Sequence, residues 1–390
     1  MSEAIEVLER EPPSRELARI YSRQTGELLS SDRNAECLEW AEKTLELSTR
    51  LGLQDEYARA LQFRGAARCE LGDERGLDDL REAIRLGEEH GFGQVIALAR
   101  ANYAFQLWFR DGPAAALEVW RESQRAAETR GFAGLAQMAR MGQLETLFDL
   151  GSWDEVLAIS KEIQAWILPR GERTELAAYA SIFESWVRLR RGESEGLAEA
   201  ADTLLEFATP FGGEFGAPAA LLVAETHRTQ GDVAGALRAI DTFAELTARS
   251  PNFRALFAPI AARALVALGE VDLAERLIPD HADARTKRHR VSLMTARAVV
   301  AEARGLTNDA LMGYKLSVSQ WRAHGFRLEL GLTLIGAARC LLELDRRDEA
   351  ADALVEARDV LRPLHAAPAL AEIADLLGGD LERQLGSAGA

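Results

Sequence analysis

The chain has 390 residues, 47% of them hydrophobic and 28% charged, a balance ordinary for a folded globular protein. Its formal net charge of −16 leaves no excess of cations to displace counterions, which excludes nucleic acid as an expected partner. No stretch approaches the run of about 18 apolar residues that a membrane span needs, and the N-terminal MSEAIEVLEREPPSRE lacks the basic head and apolar run of a signal peptide, so a cytoplasmic location is expected.

A helix break recurs about every 40 residues along the chain. It appears as Ser31-Asp32-Arg33, Leu71-Gly72-Asp73, Arg110-Asp111-Gly112, Leu150-Gly151-Ser152, Arg191-Gly192-Glu193, Gln230-Gly231-Asp232, Leu268-Gly269-Glu270, Arg304-Gly305-Leu306 and Leu344-Asp345-Arg346. A second series lies between these marks, including Leu51-Gly52, His90-Gly91-Phe92, Arg130-Gly131-Phe132, Phe211-Gly212 and His324-Gly325-Phe326. Two breaks per period with helix-forming sequence between them predict a stack of helical hairpins. In chain order the hairpins fall at 13–51, 55–90, 93–130, 133–168, 172–209, 215–249, 252–278, 282–324 and 327–363, followed by a capping helix over 368–384. Asp73, Ser152, Asp232 and Asp272 stand at helix starts, where a side-chain oxygen can accept free backbone N–H groups. The seventh hairpin is irregular: its second helix stops at Leu277-Ile278-Pro279, which places a hinge at 278–286. The tail 385–390 is expected to fray.

Just after each hairpin turn two helices approach most closely, and small residues are expected there. Ala350 is the clearest case, and Cys37, Leu77, Ala116, Val156, Leu197, Ala236, Ala274 and Ala310 are its equivalents. First helices carry small residues before the turn, as at Gly65, Ala104, Ala224, Ala298 and Ala338. This pattern resembles the tetratricopeptide (TPR) repeat with a longer period than the usual ~34 residues. The implied fold is an all-α solenoid, a right-handed superhelix of about nine TPR-like hairpins forming one domain over 1–390. The phrases Glu11-Pro12-Pro13-Ser14-Arg15-Glu16-Leu17-Ala18, Leu38-Glu39-Trp40-Ala41-Glu42-Lys43-Thr44-Leu45, Arg64-Gly65-Ala66-Ala67-Arg68-Cys69-Glu70-Leu71-Gly72-Asp73 and Phe148-Asp149-Leu150-Gly151-Ser152-Trp153-Asp154-Glu155 are more specific. They resemble the C-terminal helical-repeat tail of actinobacterial signalling proteins that join an adenylate/guanylate cyclase or regulator domain to an AAA-type ATPase. The resemblance runs over roughly 4–377 and covers the tail alone, so no catalytic or DNA-binding residue is carried over from it.

The sequence offers no catalytic constellation. The phosphate loop GxxxxGKS/T, HExxH and GxSxG are all absent, so the chain is expected not to be an enzyme, with no catalytic residue, cofactor or metal. The six histidines are scattered; His90 and His324 precede inter-hairpin glycines, where a helix C-terminus suits a partly positive ring. Asp280-His281-Ala282-Asp283 is an incomplete metal shell and reads as a loop. Cys37, Cys69 and Cys340 lack CxxC spacing and read as free, buried thiols. The run Arg285-Thr286-Lys287-Arg288-His289-Arg290 reads as solvated first turns of a helix, with a docking site for an acidic peptide, a phosphate or nucleic acid as the alternative.

First helices of TPR-like hairpins line a concave groove. Counting back from the turns places Asn102, Phe105 and Trp108 there, then Met141, Glu145 and Phe148, then Tyr179, Phe183 and Trp186, then Glu225 with Arg228, and Arg263. Asn102 matches the TPR slot whose amide bonds a bound peptide backbone, by resemblance. The aromatics either hold a ligand or pack between hairpins. The expected function is a non-catalytic interaction or sensor scaffold, binding a protein or peptide partner or a small effector and serving cyclase/ATPase-type signalling or transcriptional regulation. A stand-alone adaptor, or a remnant of such a multidomain protein, is the alternative.

Overall fold

The computed structural model describes residues 2–170, 174–280 and 284–386, and among them the chain forms α-helices and short 3-10 turns without a strand. It divides into two compact units, Met1–Gln143 and Leu144–Ala390.

The first unit holds α1 (Ser2–Leu8), the pair α2 (Arg15–Ser30) and α3 (Asn34–Leu51), the pair α4 (Gln54–Glu70) and α5 (Gly76–His90), and the pair α6 (Gly93–Arg110) and α7 (Pro113–Thr129), followed by the start of α8 (Ala133–Leu150). The short α1 went unread in the sequence, because its seven residues precede the first repeat break. It lays Ile5 into a cluster with Leu17, Ala18, Tyr21 and Leu47, which covers the end of the stack. Further along, Leu45, Leu61, Leu86 and Val95 close around Ala58, Ala60, Ala83 and Ala99. Each such leucine contributes about 2 kcal/mol on leaving water.

The second unit continues α8 and pairs it with α9 (Trp153–Ile167). It then pairs α10 (Glu175–Arg191) with α11 (Leu197–Ala208), and α12 (Gly213–Thr229) with α13 (Val233–Leu246). The next pair is α14 (Pro251–Ala267) and α15 (Val271–Leu277), followed by α16 (Lys287–Ala303) with α17 (Thr307–His324), α18 (Arg327–Glu343) with α19 (Arg347–Leu361), and α20 (Ala367–Gly386). Among the described residues the helices therefore fall where the breaks placed the hairpins, with α16 starting at Lys287. α20 is interrupted at Gly378, whose φ of 65° and ψ of 144° are not helical. The Asp280-His281-Ala282-Asp283 stretch, read as a loop, and the hinge fall partly on 281–283, and the frayed tail partly on 387–390, outside the described residues.

Local chemistry explains the punctuation. Gly72, Gly151, Gly192, Gly231, Gly269 and Gly305 all adopt φ near +70° to +90°, the left-handed conformation that lets a chain leave one helix and enter the next. Asp32 (φ 57°) and Asp345 (φ 56°) take the same conformation where the break lacks glycine. Eight of the nine close-approach positions are buried as expected; Leu77 is only half-buried. An extra turn at 74–75 shifts that hairpin by one residue, and Gly76 takes the position instead, packed backbone to backbone on Gly65. Of the predicted caps, Asp232 accepts the Gly235 N–H at 2.9 Å. Ser152 sits at the cap position without a side-chain bond, Asp73 turns to the Arg75 N–H instead, and Asp272 lies inside the first turn of α15. The other capping side chains are Ser14, Thr174 and Thr286.

Within the second unit the chain closes on itself. Arg191 of α10 donates to the Leu364 carbonyl at 3.4 Å, and a methyl added at Gly151 would meet the Leu364 side chain at 2.8 Å. Pro368 lies against Gly192, so the start of α20 covers the α9–α10 end. The first helices α10, α12, α14, α16 and α18, with the end of α8, consequently turn one face toward a shared interior.

Candidate functional site

In the first unit, Asn102 and Phe105 are half-buried and Trp108 is 3% exposed. The Phe105 ring lies 5.7 Å from Trp108 and 4.6 Å from Phe109, an aromatic cluster that packs the hairpin. Met141 is half-buried on α8. Asn102 makes no side-chain hydrogen bond among the described residues, which leaves its amide available.

The second unit brings the other predicted residues together more tightly. Phe148 and Phe183 meet edge to face at 5.6 Å, Tyr179 lies 5.0 Å from Phe183, and Phe215 extends the line at 5.5 Å from Tyr179. Tyr179, Phe183 and Trp186 are buried, so these rings form walls. Trp186 donates its indole N–H to the Pro218 carbonyl at 3.2 Å, and the Arg190 guanidinium stacks on its ring at 4.9 Å.

Charged groups occupy the space these walls enclose. The Tyr179 hydroxyl is hydrogen-bonded to Glu145. Arg288 reaches Asp149 at 3.1 Å and stacks over the Phe326 ring at 4.5 Å. Glu225, 4% exposed, is held by Arg228 at 3.0 Å and Arg190 at 3.5 Å. Arg263 is paired with Glu329 of α18. Four of these residues, Asp149, Arg190, Arg288 and Glu329, were missed by counting back from the turns. Arg190 lies four residues after Trp186 and Asp149 four after Glu145, so a helical i+4 rule would have found both.

The electrostatics are those of an enclosed polar space. Desolvation raises the Glu145 carboxyl to about 8, opposed by its Tyr179 hydrogen bond and by Arg288. Glu214 is exposed to water, yet surrounding protein raises its carboxyl to about 7 by desolvation, with Glu175 adding to the effect. Solvent access and desolvation occur together when a side chain points into a concavity rather than outward. Desolvation also pulls the Arg190 and Arg288 guanidinium groups down and pushes the Tyr179 phenol well up. Three buried atoms, Arg190 Nε, Arg228 Nε and Glu329 Oε2, have no hydrogen-bond partner among the described residues. That leaves two donors and one acceptor unused in one interior.

The basic run resolves into two faces. Arg288 and the buried His289 turn inward, where His289 Nδ1 and the Thr286 hydroxyl lie 3.0 Å apart, and this corrects the expectation that the whole run is solvated. Lys287 and Arg290 remain exposed. Among the described residues no group of three His, Cys, Asp or Glu side chains is arranged to hold a metal ion, and no helix is long and apolar enough to cross a membrane.

The sequence matches no family model and no curated protein. Its structure is similar to that of a Rap protein complexed with competence and sporulation factor, with a TM-score of 0.63 and 12% identity over 90% of this chain and 98% of that one. It is also similar to the APC/C hetero-tetramer Cut9-Hcn1, with a TM-score of 0.56 and 14% identity over 98% of this chain and 78% of that one. The fold is TPR-like. At such identities the likeness establishes the architecture of this helical-repeat chain and nothing more specific.

Proposed function

We propose that this chain is a non-catalytic interaction module whose ligand occupies the interior face of the second unit. The observation that carries the reading is the set of unused polar atoms, Arg190 Nε, Arg228 Nε and Glu329 Oε2, inside a ring of paired charges. Burying a guanidinium or carboxylate with bonding capacity to spare costs several kcal/mol, and a ligand that supplies the missing partners offsets that cost. Two guanidinium N–H donors and one carboxylate acceptor suit a peptide segment, which offers carbonyl oxygens and N–H groups at close spacing. The aromatic walls formed by Phe148, Tyr179 and Phe183 suit an apolar side chain of that segment. The similar Rap structure is of a complex with competence and sporulation factor, which supports a ligand-bound role for this architecture.

The test is affinity capture with the whole chain as bait, comparing wild type with Arg228→Ala and Trp186→Ala. The reading expects a partner retained by wild type and lost by both variants at unchanged helix content. Equal recovery by all three baits would refute it. The repeat text further supports service to a cyclase/ATPase-type signalling protein or transcriptional regulator, as the tail of a longer polypeptide or as a partner. An antibody against these repeats checks this in source cells: a band well above 42.8 kDa fits the tail, and a band at 42.8 kDa the separate partner.

A further inference from the structure

A different surface of the second unit is incomplete. Among its neighbours α13 has 14 residues, α17 18 and α19 15, whereas α15 has only 7. Second helices normally pack along the next hairpin, as α17 does on α18, but α15 touches α16 only briefly before Pro279 ends it. Matching α19 would take eight more residues, about two helical turns or 12 Å. Along the face that those turns would cover, α16 and α17 border a groove of about 630 Å³.

The lining of the groove has a consistent chemistry. On α16, Lys287, Arg290, Met294 and Arg297 recur at helical spacing along one wall. None of the three cations pairs with a carboxylate among the described residues: Arg290 reaches the Ala284 and Arg285 carbonyls at 3.4 Å, and Arg297 the Pro279 carbonyl at 3.1 Å. On the opposite wall Gly313 sits close on Ala298, and by helical spacing the exposed Met312 (61%) and Leu316 (54%) share the α17 face of Asp309, Gly313 and Gln320. Among the described residues Asp309 is the one acidic group lining the groove. Three cations without a carboxylate partner among the described residues are conspicuous on one stripe of a chain of net charge −16, and they stand beside apolar Met294, Ala298 and Ala301.

We propose that this groove is the berth of an acidic amphipathic helix from a partner protein, which completes the stack where α15 stops short. Its apolar edge would lie over Met294, Met312 and Leu316, and its carboxylates would face Lys287, Arg290 and Arg297. The proposal concerns an exterior face and stands independently of the interior site.

The test uses the full chain and fluorescein-labelled 15-residue helical peptides with Leu at i, i+3 and i+7 flanked by Glu, read by fluorescence anisotropy. Saturable binding is expected with Kd below about 1 mM. Lys287→Glu/Arg290→Glu/Arg297→Glu weakens it by at least about tenfold, as does replacing every peptide Glu with Gln, and Arg290→Glu alone gives a smaller loss in the same direction. Lys315→Glu, a cation of α17 already paired with Glu349, and Arg228→Ala in the interior leave it unchanged. Circular dichroism confirms that each variant keeps its helix content. Absence of binding up to about 1 mM, or affinity indifferent to the triple reversal, overturns the proposal. A single-stranded oligonucleotide that binds through the same cations in preference to the peptide would also overturn it, as would self-association of the chain that the triple reversal abolishes.

Discussion

Arg288 Nη1 lies 3.1 Å from Asp149 Oδ2, joining α16 to α8 across 139 positions of sequence. The pair lies inside the second unit, with the arginine stacked on Phe326 and Glu145 close enough to affect its charge. It belongs to a set of inward-facing charges, and its consequences can be measured.

Removing the cation takes away the ion-pair partner of Asp149. Arg288→Met removes the guanidinium from beside that carboxylate, and the expected loss is about 3 kcal/mol of unfolding free energy. Pairing it with Asp149→Leu should recover most of that loss. Denaturant titration of the single and double variants checks the cycle, and a fully additive result would show that the two residues are not coupled.

Stability should decline as pH rises from 5 to 9. Glu145 and Glu214, with folded values of about 8 and about 7 against an ordinary 4.5, keep their protons after the unfolded chain has released its own. The unfolded state then binds fewer protons, so their contribution is complete below about pH 4.5 and is lost as pH rises through 7 and then 8. His227, raised mainly by its Asp232 and Asp202 hydrogen bonds against desolvation, acts in the same direction. Glu145→Gln/Glu214→Gln should flatten most of the slope in melting temperature against pH.

Gly65 and Gly76 let α4 and α5 approach backbone to backbone. A methyl at Gly65 would stand 2.7 Å from the Gly76 carbonyl oxygen and 2.8 Å from Leu80, neither of which is a flexible end. Gly65→Ala is therefore expected to cost about 2 kcal/mol through overpacking, despite alanine's better helix propensity. Chemical denaturation measures it, and a stabilised variant would contradict the packing.

All three cysteines should be inert in the folded chain. Cys37, Cys69 and Cys340 are free and buried, and desolvation pushes each thiol up to about 12. Ellman's reagent at pH 8 should label none of them until denaturant is added. Rapid labelling of any one without denaturant would show that its helix opens locally.

The sequence revealed the architecture because each hairpin is a local event. A glycine or aspartate in the left-handed conformation, as at Gly72 or Asp345, is readable from a few residues, and so is the early stop before Pro279. The candidate interior was legible only in part. Glu145, Tyr179 and Trp186 follow from counting along single helices, but the partners that define their chemistry come from elsewhere in the chain. Arg288 looked like one member of a solvated basic run, and only its placement against Asp149 and Phe326 separates it from Lys287 and Arg290. The register slip at Leu77 has a similar origin, since the extra turn at 74–75 moved the close approach by one residue to Gly76.

The interior binding reading is tested most directly by mass spectrometry of the small molecules and peptides released when the chain, affinity-purified from its source cells under native conditions, is denatured. The account predicts a released species, most simply a peptide, that is enriched with wild type and absent from Arg228→Ala/Glu329→Gln at equal helix content. Identical release profiles from wild type and variant would contradict it.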